Sequence, residues 1–100
     1  MGLEYRIEYS HAALEHLSWL SKNQQVTVLG AVIAQLEREP NIRTRNRKPL
    51  RPNTLGRWEL RVGNIRVFYE IEEESLLVDI RAIGIKKGNL LYVAGEVLKL

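Results

Sequence analysis

The stretch from Arg57 to Glu72, RWELRVGNIRVFYEIE, constrains the fold more than any other part of the chain. Trp58, Leu60 and Val62 alternate with Arg57, Glu59 and Arg61. That is the period of a half-buried strand, because successive side chains leave opposite faces of a sheet. Gly63-Asn64 interrupts the run, and a second alternation follows in Ile65, Val67, Tyr69 and Ile71. Residues with easy access to positive φ between two such runs predict a tight hairpin, although Gly-Asn is a weaker signal than Asn-Gly. The hairpin has one apolar face and one face bearing Arg57, Glu59, Arg61 and Arg66.

The surrounding charge sharpens this asymmetry. The chain carries fifteen Lys/Arg against twelve Asp/Glu, a formal net charge of +3. Eight of the basic residues, Arg43, Arg45, Arg47, Lys48, Arg51, Arg57, Arg61 and Arg66, fall between positions 43 and 66, where Glu59 is the only acid. A concentration of this kind is the electrostatic footprint expected for a phosphate backbone or an acidic protein partner.

One hundred residues make a single domain. The absence of cysteine excludes a disulfide scaffold and thiolate chemistry. No apolar run approaches a membrane span, and Glu4, Arg6 and Glu8 make the start of the chain unlike a signal peptide or anchor. The expectation is a cytoplasmic protein without a membrane partner. His11 and His16 stand five residues apart on a helix, a spacing that does not suit a shared metal, and they read as exposed helix residues. No metal-ligand cluster, Ser/His/Asp arrangement or phosphate-cradling glycine loop is present, so no cofactor is expected.

Leu3 to Tyr9 alternates as a first strand. Ser10 is an N-cap, and the helix after it places Ala13, Leu14, Leu17 and Leu20 at helical spacing, ending near Ser21-Lys22. Asn23 is read as the cap of a second helix with Val26, Leu29, Val32, Ile33 and Leu36 on its apolar stripe, stopped by Pro40. Asn41 to Gly56 lacks apolar periodicity and reads as a long connection. After the hairpin, Leu76 to Ile83 is nearly continuous in apolar residues and predicts a central strand. The tail from Leu90 to Leu100 fits a short strand or a short helix. The order β-α-α-β-β-β predicts an α+β two-layer sandwich, an antiparallel sheet packed on an αα-hairpin. The other sheet face is expected to be open and lined by arginines, with the 43–56 loop at its rim.

A β-α-α-β-β-β chain of this length, with LRVGNIRVFYEI at Leu60–Ile71, IRAIG at Ile80–Gly84, then basic residues and a tyrosine, resembles the RelE/ParE superfamily of type II toxin–antitoxin toxins. The KPL at Lys48–Leu50 adds to the likeness. The resemblance implies a growth-blocking toxin held inactive by a cognate antitoxin, acidic and partly disordered. RelE-like members enter the ribosome and cleave mRNA, whereas ParE-like members poison DNA gyrase by binding and have no nuclease activity. Carried over position by position, the RelE-like active face maps to Arg61, Arg66, Lys86 and Tyr92. Glu59 stands where RelE has a lysine, and Lys48 lies nearest the position of a catalytic glutamate in some members.

Two function classes follow. In the first, the chain is a metal-independent mRNA interferase acting on ribosome-bound message. Arg61, Arg66 and Lys86 stabilise the transition-state charge, Tyr92 positions a base or sugar, and Glu59, Lys48 or Lys86 moves the proton. Arg43, Arg45, Arg47, Lys48, Arg51, Arg57 and Lys87 then line the RNA path. In the second, the same face binds gyrase without chemistry, and a degenerate, non-toxic member is a further alternative. Arg61 and Arg66 also have a plain role as solvating residues of an open sheet, and Tyr92 among Leu90, Leu91 and Val93 has one as core. Trp58, Phe68 and Tyr69 read as packing residues. Glu59 is either a surface partner of Arg57 or Arg61 or a general base.

Overall fold

The computed structural model describes residues 2–98. Strand β1 (Arg6–Tyr9) leads into helices α1 (His11–Ser18) and α2 (Lys22–Leu36), followed by β2 (Arg47–Pro49), β3 (Trp58–Val62), β4 (Ile65–Glu72), β5 (Leu77–Lys87), β6 (Leu90–Val93) and β7 (Glu96–Leu98). The strands form one seven-stranded sheet in the order β2-β3-β4-β5-β6-β7, with β1 on β5. The helices cover one face, giving the α+β two-layer architecture that the sequence predicts.

Each helix begins where a serine can satisfy a free backbone N–H. The Ser10 hydroxyl accepts from Ala13 N–H at 3.1 Å. α2 is capped by Ser21 rather than Asn23. Ser21 and Gln24 form a reciprocal capping box, a stronger arrangement than a lone asparagine. The β3–β4 hairpin turns at Gly63-Asn64, with Gly63 at φ 60°, the two-residue form with glycine first. Its register sets Trp58 opposite Tyr69, Leu60 opposite Val67 and Arg61 opposite Arg66.

β5 is the central strand. One edge pairs antiparallel with β4. The other is shared between β1, which runs parallel to Leu77–Ile80, and β6, which pairs with Ile85–Lys87. A bulge opposite Phe68/Tyr69 leaves Arg81 unpaired, so both Ile80 and Ile83 reach the helical face. That bulge accounts for the broken alternation in this stretch.

The main core joins Leu60, Val67, Tyr69, Val78, Ile80 and Ile83 of the sheet to Ala13, Leu17, Val28, Val32 and Leu36 of the helices. Trp58 stacks on Tyr69 with ring centroids 6.1 Å apart, and the Tyr69 hydroxyl donates to the Pro40 carbonyl at 2.8 Å. Burial pushes the Tyr69 phenol well above its ordinary range.

Three further expectations are corrected. The 41–56 connection contains β2, which supplies backbone partners to an otherwise open edge of β3. On α2, Val28, Val32 and Leu36 face the core, leaving Val26, Leu29 and Ile33 exposed. The second sheet face is not simply open either. Phe68, Ala82, Leu91 and Val93 form a small core there, closed over by Leu50, Leu55 and Leu98. The tail, for which the sequence allows strand or helix, is strand: β6 and β7 form a hairpin through Ala94 and Gly95, both at positive φ. Its last two residues, Lys99 and Leu100, lie outside the described residues.

Candidate nucleic-acid interface

Alternation along β3 and β4 sends Glu59, Arg61, Arg66 and Phe68 to the face away from the helices. On β2, Lys48 pairs in register with Glu59. Lys48 Nζ lies 4.0 Å from Glu59 Oε1. The Glu59 residue is only 8% exposed. A carboxylate so far removed from water needs a cation, and Lys48 provides one. The partner is therefore Lys48, not Arg57 or Arg61 as the sequence suggests.

Glu59, Phe68 and Lys86 line a pocket of about 310 Å³ together with Asn89, Leu90, Leu91 and Leu98. Phe68 and the surrounding leucines form its apolar floor and wall, while Glu59 and Lys86 supply charge of opposite sign. The Lys86 main chain is tied to the β3–β4 turn, with its N–H donating to the Asn64 carbonyl at 2.7 Å.

Arg61 and Arg66 are a cross-strand pair beside this pocket. Burial lowers the Arg66 pKa from its ordinary value, while Glu59 pulls it up and Arg61 pushes it down. The Arg66 guanidinium also donates to the Gly63 and Ile65 carbonyls, at 2.8 and 3.0 Å, so it is anchored to the hairpin turn. Arg61 is exposed. Glu59, Lys48, Arg61, Arg66 and Lys86 thus gather on one side of the sheet.

The other candidate residues are placed differently. Tyr92 pairs with Ile85 and lies on the helical face, the side opposite Glu59. It shares a second pocket of about 330 Å³ with His16, Trp19 and Lys87. Lys87 Nζ sits 5.2 Å from the Tyr92 ring centroid, a cation–π contact. Arg47 is 7% exposed and unavailable to RNA. Its place in β2 turns the side chain inward, where the guanidinium donates to the Gln35 carbonyl near the C-terminal end of α2. Arg57 pairs with Glu70 at 3.6 Å. Arg43, Arg45 and Arg51 are exposed on the segments flanking β2.

His16 has a structural role that the sequence does not reveal. Its Nδ1 accepts the Ile83 N–H at 3.2 Å. Ile83 stands where neither β1 nor β6 reaches β5, so the imidazole replaces a missing strand partner. No sequence pattern announces this, because the gap exists only after both strands have paired. Burial lowers the His16 pKa below 6.5, with Glu15 opposing. The unfolded chain therefore binds the proton more readily than the folded one, and the contribution of this contact is present above about pH 6.5 and lost as the pH falls. Thermal unfolding from pH 8 to pH 5 should show a loss of midpoint that His16→Gln diminishes. An unchanged slope would remove His16 from this role.

With this geometry in hand, comparison with known proteins identifies the class. The profile described as the ParE toxin of type II toxin–antitoxin systems, parDE, matches residues 7–89. This chain belongs to that family of toxins. No curated protein matches it. Among solved structures, a chain of the toxin–antitoxin complex RelBE2 from Mycobacterium tuberculosis is similar at 27% identity, with a TM-score of 0.73 over 84% of this chain and 93% of that one. Among the described residues, no helix is long and apolar enough to cross a membrane.

Proposed function

We propose that this toxin is an mRNA interferase that cleaves translated message at the Glu59 pocket. The observation that supports this reading is a nearly buried carboxylate with Lys48 at 4.0 Å and Lys86 on the same pocket wall. Glu59 takes the proton from a ribose 2′-OH, whose oxygen attacks the adjacent phosphorus. The bond from phosphorus to the 5′-oxygen breaks, and a lysine, Lys48 or Lys86, returns a proton to the leaving oxygen. Arg61 and Arg66 stabilise the extra negative charge of the transition state, which matters more there than in the ground state. Tyr92, on the opposite side of the sheet, has no part in these steps.

Combined Arg61→Ala and Lys86→Ala substitution tests the reading in a translating extract. Cleavage should fall by about a hundredfold or more with the fold retained. An intact message with the unsubstituted toxin would sink it. A second reading, binding inhibition of DNA gyrase, is favoured by the match to the ParE profile and by the absence of Tyr92 from the Glu59 cluster. In that case message stays whole and a DNA-damage response follows.

The RelBE2 structure holds a toxin with its antitoxin. By extension, the cognate partner of this chain is an antitoxin whose acidic segment folds onto the cationic face and covers the Glu59 pocket. Co-expression with that antitoxin should restore growth.

A further inference from the structure

α2 has an outward surface that the single chain does not explain. From Asn23 to Leu36 the sequence carries no charge. Val28, Val32 and Leu36 fill the core. Yet on the outer side Val26 is 68% exposed, Ile33 53% and Leu29 38%. Gly30 beside them has open space where a Cβ would stand. A helix that is apolar on both sides is ordinarily buried on both.

The ends of this stripe are as informative as its middle. Lys22 stands at the N-terminus of α2 and Glu37 at its C-cap, with no acid in the first turn and no base in the last. Both charges oppose the helix's own macrodipole, which favours acids at the start and bases at the end. Such a placement is adverse for the isolated helix and becomes favourable against an antiparallel neighbour.

We propose that this stripe is the seat of a second copy of the chain, with two α2 helices packed antiparallel about a two-fold axis passing between Leu29 and Gly30. The spacing reads the same in both directions: Lys22, Val26, Leu29, Gly30, Ile33 and Glu37 are separated by four, three, one, three and four positions. Antiparallel pairing therefore sets Lys22 against the partner's Glu37, Val26 against the partner's Ile33, and Leu29 against the partner's Gly30. A large side chain meets a missing one at the centre, and opposite charges meet at both ends. An isologous contact requires this self-complementarity, whereas the helix of an unrelated protein would have no need of the inverted order.

Size sets the strength. A fifteen-residue helix is about 22 Å long. A single helix pair of that length falls short of the roughly 800 Å² per partner of a standard stable interface. The dimer is therefore concentration-dependent rather than obligate. Because α2 lies on the sheet face opposite Glu59, the contact leaves the candidate site uncovered and stands independently of its chemistry.

Sedimentation equilibrium over a concentration series up to about 1 mM tests this directly. The unsubstituted chain should pass from monomer to dimer, and Ile33→Asp should remain monomeric with an unchanged circular dichroism spectrum. Lys22→Glu and Glu37→Lys should each weaken self-association roughly tenfold, since each places two like-charge pairs in the contact. Mixing these two variants should restore association, because every end pair is then opposite in charge. A chain that stays monomeric throughout would overturn the proposal. So would a dimer in which the mixed variants associate no better than each alone, or a stripe whose Ile33→Asp change affects only binding of another protein.

Discussion

Glu59→Gln is expected to reduce message cleavage by about a hundredfold or more while leaving the fold intact. The amide keeps the size and shape of the carboxylate in a position only 8% exposed. It removes the negative charge facing Lys48 and, in the proposed mechanism, the group that would accept the 2′-OH proton. Because the Lys48 side chain is 47% exposed, water can take over its solvation when the charge on Glu59 is lost. Rate and stability should therefore separate: cleavage in a translating extract collapses while the unfolding midpoint moves by only a few degrees. Cleavage at the original rate would remove Glu59 as the base and leave a lysine to move the proton. Equal loss of activity and midpoint would make the residue structural.

Phe68→Ala is expected to have the largest effect on stability, roughly 3–5 kcal/mol. The ring is fully buried at the centre of the small core on the second face, among Ala82, Leu91 and Val93. Leu50, Leu55 and Leu98 close over it, and they come from a loop and from the last described strand. Removing the ring leaves a cavity that these two covering segments share, so both should loosen together. It also takes away the apolar floor of the pocket shared by Glu59 and Lys86. Denaturant unfolding gives the magnitude, and hydrogen exchange should show protection lost at Leu91 and Val93 before the β3–β4 hairpin. A loss well below 1 kcal/mol would mean that this second core contributes little.

These two residues also show how far the sequence is legible. The alternation in β3 and β4 places Glu59, Arg61, Arg66 and Phe68 on one face, because side-chain direction follows directly from strand period. Their cover is not legible. Leu50 and Leu55 sit among prolines and arginines without any periodicity, and only the folded chain brings them over Phe68. β2 is hidden for a related reason, since Arg47-Lys48-Pro49 has no apolar alternation and pairs to satisfy β3. Its inward residue is Arg47, which sequence reasoning places on the RNA path.

α2 carries two apolar stripes at helical spacing, and sequence reasoning draws residues from both. Val28, Val32 and Leu36 face the sheet, whereas Val26, Leu29 and Ile33 do not. Propensity and period are the same for both, so the packing of the sheet decides between them. Tyr92 illustrates the limit of a positional carry-over. The pairing of Lys86 with Leu91 and of Ile85 with Tyr92 sends the tyrosine to the helical side, and that register cannot be read from the residues alone.

The most direct test of the proposed chemistry is to map message 5′ ends after inducing the toxin without its antitoxin, beside Glu59→Gln induced to the same level. New 5′ ends should arise within translated regions before growth stops, be nearly absent with Glu59→Gln, and come without a DNA-damage response. Growth arrest with messages uncut and that response rising would contradict the account.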